Sequence, residues 1–172
     1  MSNTAVHSVS VVIPVYGGSA TLQQVVNELS SFYREQISEG GNRYQVAEVI
    51  LVDDCGVDNS AKVIREMAKV DERVVPVWLT RNYGQHAATV AGMASSSHEW
   101  VVTMDEDGQH NPASIGALID TALLNESPLV YGRESNREPH GFFRNVTSKT
   151  VKQLALPLLI DNKTLKYFSS SR

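Results

Sequence analysis

The 172-residue chain predicts an α/β fold with a mostly parallel sheet, and three observations point there. β-rich apolar runs recur and each is followed by a segment with helical spacing of apolar residues. Carboxylates or an arginine gather in the turns that leave the runs at one end, the edge where open parallel sheets bind ligands. The composition, 42% apolar and 20% charged, suits one globular domain with a substantial core, residues 1–172.

The elements follow in order. Val9–Val15 reads as a central strand with Pro14 near its end, and Tyr16-Gly17-Gly18-Ser19 turns the chain. Thr21 is a candidate N-cap for a helix carrying Leu22, Val25, Val26, Leu29, Phe32 and Tyr33. The glycines of this first βα unit do not form Gly-x-Gly-x-x-Gly, which disfavours a nicotinamide dinucleotide site. Val46–Val52 is a second strand ending in Asp53-Asp54, followed by a helix from about Ser60 with Val63, Ile64 and Met67 inward. Two readings of the acidic pair stand side by side: a solvated turn, or carboxylates that meet a base or a ribose hydroxyl.

Val74–Leu79 is a third strand, and the turn Thr80 to His86 leads into a small-residue helix, Ala87–Ala94. Arg81 stands just before that helix start, where backbone N–H groups and a guanidinium together suit an anion. His86 reads as a polar packing residue. Val101–Met104 is a fourth strand, and it ends in Asp105-Glu106-Asp107-Gly108-Gln109. Two carboxylates one residue apart, with an amide oxygen close by, suit Mg²⁺ or Mn²⁺, which take few protein carboxylates and fill their shell with water and phosphate. Asp-x-Asp is a common tripeptide and equally describes a solvated turn or helix cap; its context decides. Asn111 as N-cap and Pro112 at N1 then open a helix through Leu123, and Pro128–Tyr131 is a short fifth strand. The loop from Gly132 to Arg144 is basic and aromatic and enters a helix to about Leu156; Arg133 and Arg144 are placed to converge on a phosphate, Arg137 to face solvent. Ser169 to Arg172 reads as a polar end.

Composition excludes some functions. A formal charge of −4 gives no basic field for nucleic acid. The single Cys55 excludes an internal disulfide and has no neighbours that make a nucleophile. The N-terminus has no secretory pattern, and the aliphatic stretch Leu154–Ile160 is interrupted by Pro157 and too short to span a bilayer.

Four stretches, the Val-Val-Ile-Pro-Val-Tyr start, Val52-Asp53-Asp54, Arg81-Asn82-Tyr83-Gly84-Gln85-His86 and Met104 to Gln109, together resemble glycosyltransferase family 2, the inverting enzymes of the Rossmann-like GT-A fold. Within it, the third stretch and Gln109 resemble the dolichyl-phosphate mannose synthase and undecaprenyl-phosphate sugar transferase branch. The resemblance covers residues 8 to 160. It implies a nucleotide-sugar donor, UDP- or GDP-linked, and a polyprenyl-phosphate acceptor. It implies that Pro14, Tyr16, Asp53 and Asp54 lie along the nucleoside, with Arg81, Asp105 and Glu106 also among the nucleotide-binding residues. Asp105, Asp107 and Gln109 would hold the metal, and Asp105, Asp107, Arg133 and Arg144 would carry catalysis, the two arginines facing donor and acceptor phosphates.

Two departures from the family pattern stand out: Gly17-Gly18-Ser19 replaces acidic residues, and Cys55-Gly56-Val57 replaces Gly-Ser-Thr. The chain also stops where family members continue into the end of the catalytic domain and often into membrane helices. The expectation is therefore a chain short of its C-terminal end and anchor, acting at the cytoplasmic face of a membrane. Rival readings are a sugar-hydroxyl acceptor, which needs a general base, a nucleotide-binding fragment without turnover, and a phosphatase using Asp105-Glu106-Asp107-Gly108 as its nucleophile loop.

Overall fold

The computed structural model describes residues 5–132 and the backbone of Lys166–Ser170. The elements run β1 (Val6–Val15), α1 (Leu22–Ser30), β2 (Gln36–Ile37), β3 (Arg43–Asp53), α2 (Ser60–Val70), β4 (Val74–Trp78), α3 (Gln85–Ala94), β5 (Trp100–Thr103), α4 (Ser114–Leu124), β6 (Leu129–Gly132) and β7 (Lys166–Ser170). One sheet runs β2-β3-β1-β5-β7-β6, with β4 also on β3. Every pairing is parallel except the short β2–β3 contact.

β1 sits in the middle and is apolar on both sides, as a strand with two covered faces must be. Val9, Val11, Ile13 and Val15 face the larger core, where α1, α2 and α4 contribute Leu22, Leu29, Ile64, Ile115 and Ile119. Val12 faces the other way with Ile50, Val52, Val101 and Ala88 of α3. A β-carbon on Gly92 of α3 would meet Val12 Cγ1 at 2.4 Å, so the missing side chain is what lets this helix lie close on the sheet. Pro76 lies in β4, which among the described residues pairs only with β3, an edge position that tolerates a missing N–H.

Several boundaries differ from the sequence reading. β3 starts at Arg43 rather than Val46 because Arg43, Tyr44 and Gln45 pair with Val6, His7 and Ser8 of β1, and the register then slips between Val9↔Val46 and Ser10↔Glu48, leaving Ala47 as an extra residue. That one residue changes the parity of the strand. Tyr44 and Val46 before it and Val49 and Leu51 after it thereby reach the same core. The buried Glu48 beside the bulge accepts from Ser10 Oγ at 2.6 Å and from the Ser97 N–H at 2.8 Å, tying the start of β5 to the centre of the sheet. α1 stops at Ser30, short of Phe32 and Tyr33, because the Phe32 carbonyl accepts the Val46 N–H at 2.8 Å and draws the chain toward β3. α4 starts at Ser114: Asn111 Oδ1 accepts the Ala113 N–H at 2.9 Å, making a turn that precedes the helix instead of capping it. Lys166–Ser170 forms β7 between β5 and β6, and it takes in Ser169 and Ser170 of the expected polar end. The expected helix to Leu156, and Arg133, Arg137 and Arg144, lie outside the described residues.

Asp120 of α4 anchors the loop between β2 and β3. Burial tends to raise its pKa, but hydrogen bonds from Ser38 Oγ, Asn42 Nδ2 and the Gly40 N–H outweigh burial and hold the carboxyl below the ordinary Asp value near 3.9. A folded-state pKa below the unfolded one gives stability that is complete above about pH 4 and is lost as pH falls through the folded value. The stability gap between the wild-type chain and Asp120→Asn is therefore expected to be constant from pH 7 to about 5 and to narrow below pH 4. Urea unfolding at each pH checks it.

Candidate active site

Because β1, β3 and β5 are parallel neighbours, the turns after Val15, Asp53 and Thr103 leave the sheet on one edge. They enclose a cavity of about 400 Å³. Pro14, Val15 and Tyr16 line it from the first turn, Asp54 from the second, Asn82, Gly84 and Gln85 from the turn after β4, and Asp105, Glu106 and Asp107 from the turn after β5.

Three carboxylates at this edge bind the chain itself. Glu106 accepts the N–H groups of Tyr16 at 3.0 Å and Gly17 at 3.1 Å, and its carbonyl accepts Thr21 Oγ1 at 2.7 Å, so the turns after β1 and β5 are clasped together. Asp54 accepts the N–H groups of Tyr83 at 2.7 Å and Gly84 at 2.8 Å and holds the turn before α3. Asp58 accepts the N–H groups of Ser19 and Ser60, both at 2.9 Å, and the Ser60 hydroxyl bond leads the causes that hold its carboxyl far below the usual range. Of the two glycines in the turn after β1, only Gly18 is closely packed; a β-carbon on Gly17 would meet nothing within 4 Å. A β-carbon on Gly18 would sit 2.6 Å from Glu106 Oε2, and an anion on this turn would repel the carboxylate that clasps it.

Asp105 and Asp107 also accept bonds from the chain, one from a side chain and one within its own turn. Asp105 Oδ1 accepts Gln85 Nε2 at 2.7 Å, while the Asp105 N–H donates to Nδ1 of the buried His110 at 2.9 Å. Asp107 is exposed; its Oδ1 accepts the Gln109 N–H at 3.0 Å across a turn that Gly108 makes at φ 72°. Among the described residues, no group of three or more His, Cys, Asp or Glu side chains gathers around a metal position. Two carboxylates lining one cavity nonetheless fit Mg²⁺ or Mn²⁺ when substrate phosphate and water fill the rest of the shell.

Of the residues expected at the site, Pro14, Tyr16, Asp54, Asp105, Glu106 and Asp107 line one cavity, and Asp53, Arg81 and Gln109 do not. Asp53 is buried; burial raises its pKa, against a bond from the Gly56 N–H and the charge of Arg65. Arg81 lies over the ring of Tyr83, 4.8 Å from its centroid. Gln109 is exposed at the turn beyond Asp107. Arg133 and Arg144 lie outside the described residues. Sequence reasoning did not find the roles of Gln85, His110 and Asp58. All three residues stand in or beside stretches already singled out, but what each one touches is 2 to 39 positions away.

A parallel sheet flanked by helices, with paired carboxylates leaving a central strand into a cavity at its carboxyl edge, defines a GT-A-like α/β protein. The chain belongs to glycosyl transferase family 2, whose model matches residues 10–168. It is 36% identical over 154 residues to an undecaprenyl-phosphate 4-deoxy-4-formamido-L-arabinose transferase of Aeromonas hydrophila, covering 89% of this chain and 44% of that one. To the transferase of the same name from Proteus mirabilis it is 35% identical over 150 residues, with 87% and 43% covered. The chain thus spans less than half the length of these curated relatives. Among solved structures, S. aureus TarS 1-349 in complex with UDP-GlcNAc aligns with TM-score 0.55 at 20% identity, over 80% of this chain and 38% of that one. The mannosyltransferase PcManGT from Pyrobaculum calidifontis, in complex with GDP-Man and Mn²⁺, aligns with TM-score 0.53 at 16% identity, over 69% and 33%. These two likenesses concern the fold. Family membership removes the phosphatase reading of the Asp-x-Asp turn.

Proposed function

We propose that residues 1–172 are a catalytic domain that transfers a sugar, with inversion, from a nucleoside diphosphate to a polyprenyl phosphate. The observation that carries this reading is the cavity in which Asp105 and Asp107, at the end of β5, face the turn after β1. The similarity to undecaprenyl-phosphate sugar transferases supports the acceptor class.

In this reading Pro14 and Tyr16 border the nucleoside, and Asp105 and Asp107, with Gln109, are the residues that would hold Mg²⁺ or Mn²⁺. Such an ion supplies Lewis-acid stabilisation of the charge on the departing diphosphate. The bond from the anomeric carbon to the diphosphate oxygen breaks, and a phosphate oxygen of the acceptor forms the new bond on the opposite face. That acceptor needs no base, since the second pKa of a phosphate monoester is about 6. The work left to the protein is positioning and electrostatics. Arg133 and Arg144 are proposed to meet the donor and acceptor phosphates, and Glu106 and Asp54 to act at the nucleotide by fixing the turns they hold. Among the described residues no helix is long and apolar enough to cross a membrane; the proposed acceptor is a lipid, so the reaction would take place at a membrane's cytoplasmic face.

Calorimetric titration of UDP and GDP into the chain, with and without Mn²⁺, is expected to give metal-dependent binding of one of them, which identifies the donor's base. Absence of binding by both overturns the reading.

A further inference from the structure

We infer that His110 is a positioning residue for the Asp105 carboxylate, acting through a ring proton whose location the backbone dictates. The inference rests on the reading of Asp105 as part of the diphosphate site.

His110 closes the turn that begins at Asp105. It is only 9% exposed, and its Nδ1 lies 2.9 Å from the Asp105 nitrogen. A backbone N–H can only donate, so Nδ1 carries the lone pair and the ring proton of this tautomer sits on Nε2. Among the described residues the buried Nε2 has no hydrogen-bond partner, and it lies 3.9 Å from Asp105 Oδ2. The other carboxylate oxygen, Oδ1, already accepts Gln85 Nε2 at 2.7 Å. The carboxylate is therefore flanked by two N–H donors from different elements, one bonded and one at 3.9 Å, less than an ångström beyond bonding range.

A buried donor without an acceptor is unfavourable, and Asp105 Oδ2 stands 3.9 Å from this one. A small rotation of the carboxylate toward the ring satisfies it, and an ordered carboxylate loses less freedom when a ligand arrives. A histidine that only filled the core would need neither contact. Here one ring nitrogen fixes the backbone of Asp105 and the other faces its side chain. Ligating carboxylates are commonly held by such outer contacts, and losing one typically weakens metal affinity or activity about 10- to 100-fold.

Two variants separate this role from packing. In His110→Asn, the amide oxygen can replace Nδ1 as acceptor for the Asp105 N–H, but nothing reaches Oδ2. In His110→Gln, the amide reaches as far as Nε2 and restores a donor. Expected results are Mn²⁺-dependent nucleotide affinity about 10-fold weaker in His110→Asn, partial recovery of affinity in His110→Gln at a thermal midpoint similar to that of His110→Asn, and ¹⁵N side-chain spectra of the wild-type chain showing the Nε2–H tautomer. Wild-type-like affinity in His110→Asn, affinity and thermal midpoint falling together in both variants, or an Nδ1–H tautomer overturns the inference alone. Absence of Mn²⁺-dependent binding in the wild-type chain overturns the diphosphate reading and the inference with it.

Discussion

Asp107→Ala is expected to remove the Mn²⁺-dependent part of nucleotide binding while the chain stays folded. Asp107 is exposed, and its Oδ1 accepts the Gln109 N–H within its own turn. Its side chain belongs to neither hydrophobic core, so its loss should cost about 1 kcal/mol of stability or less. Binding is different in kind. With Asp107 gone the ion would keep Asp105 as its carboxylate ligand, and Mn²⁺-dependent affinity is expected to fall by roughly 100-fold or more, beyond the 10- to 100-fold typical of losing an outer contact. Asp54→Ala makes the contrast: Asp54 holds the N–H groups of Tyr83 and Gly84, so that change should lower the thermal midpoint as well as the affinity. Calorimetry paired with thermal unfolding reads both. Unchanged Mn²⁺-dependent affinity in Asp107→Ala would remove Asp107 from the site.

The division between Asp107 and Asp54 also marks what a sequence can and cannot disclose. Strands buried on both faces need continuous apolar runs, so Val9–Val15 and the run into Asp53 were legible, and with them the edge at which the carboxylates emerge. Local spacing also revealed the Asp-x-Asp turn. What stayed hidden depends on pairs far apart in the chain. The extra residue at Ala47 is visible only against the register of β1, and β7 is a strand by virtue of β5 and β6 on either side. Glu106 and Asp54 look like ligand carboxylates because both sit in acidic turns. Their partners are backbone N–H groups 90 and 29 residues away, and a backbone N–H has no signature in a sequence.

Gly56→Ala is expected to lower stability by about 3 kcal/mol, at the upper end of overpacking costs, and the thermal midpoint of a chain this size by about 10 °C. Gly56 lies in the turn after β3, and a β-carbon there would stand 1.9 Å from the Tyr16 carbonyl oxygen and 2.8 Å from its carbon. Both are backbone atoms, so no side-chain rotation relieves the clash. Nor can the β1 turn simply retreat, because the Tyr16 and Gly17 N–H groups are bonded to Glu106 and the Ser19 N–H to Asp58. Relief requires breaking that clasp or pulling the β3 turn away, which also disturbs the Gly56 N–H bond to Asp53. Since Pro14, Val15 and Tyr16 line the cavity, nucleotide affinity should fall at least 10-fold alongside stability. Val57→Ala is the control: that side chain is 86% exposed, and neither quantity should move. Thermal unfolding of the two variants with nucleotide titration distinguishes the outcomes. A Gly56→Ala chain as stable as the wild type would mean that the turns after β1 and β3 do not pack as described, and the cavity would lose the contact that sets its width.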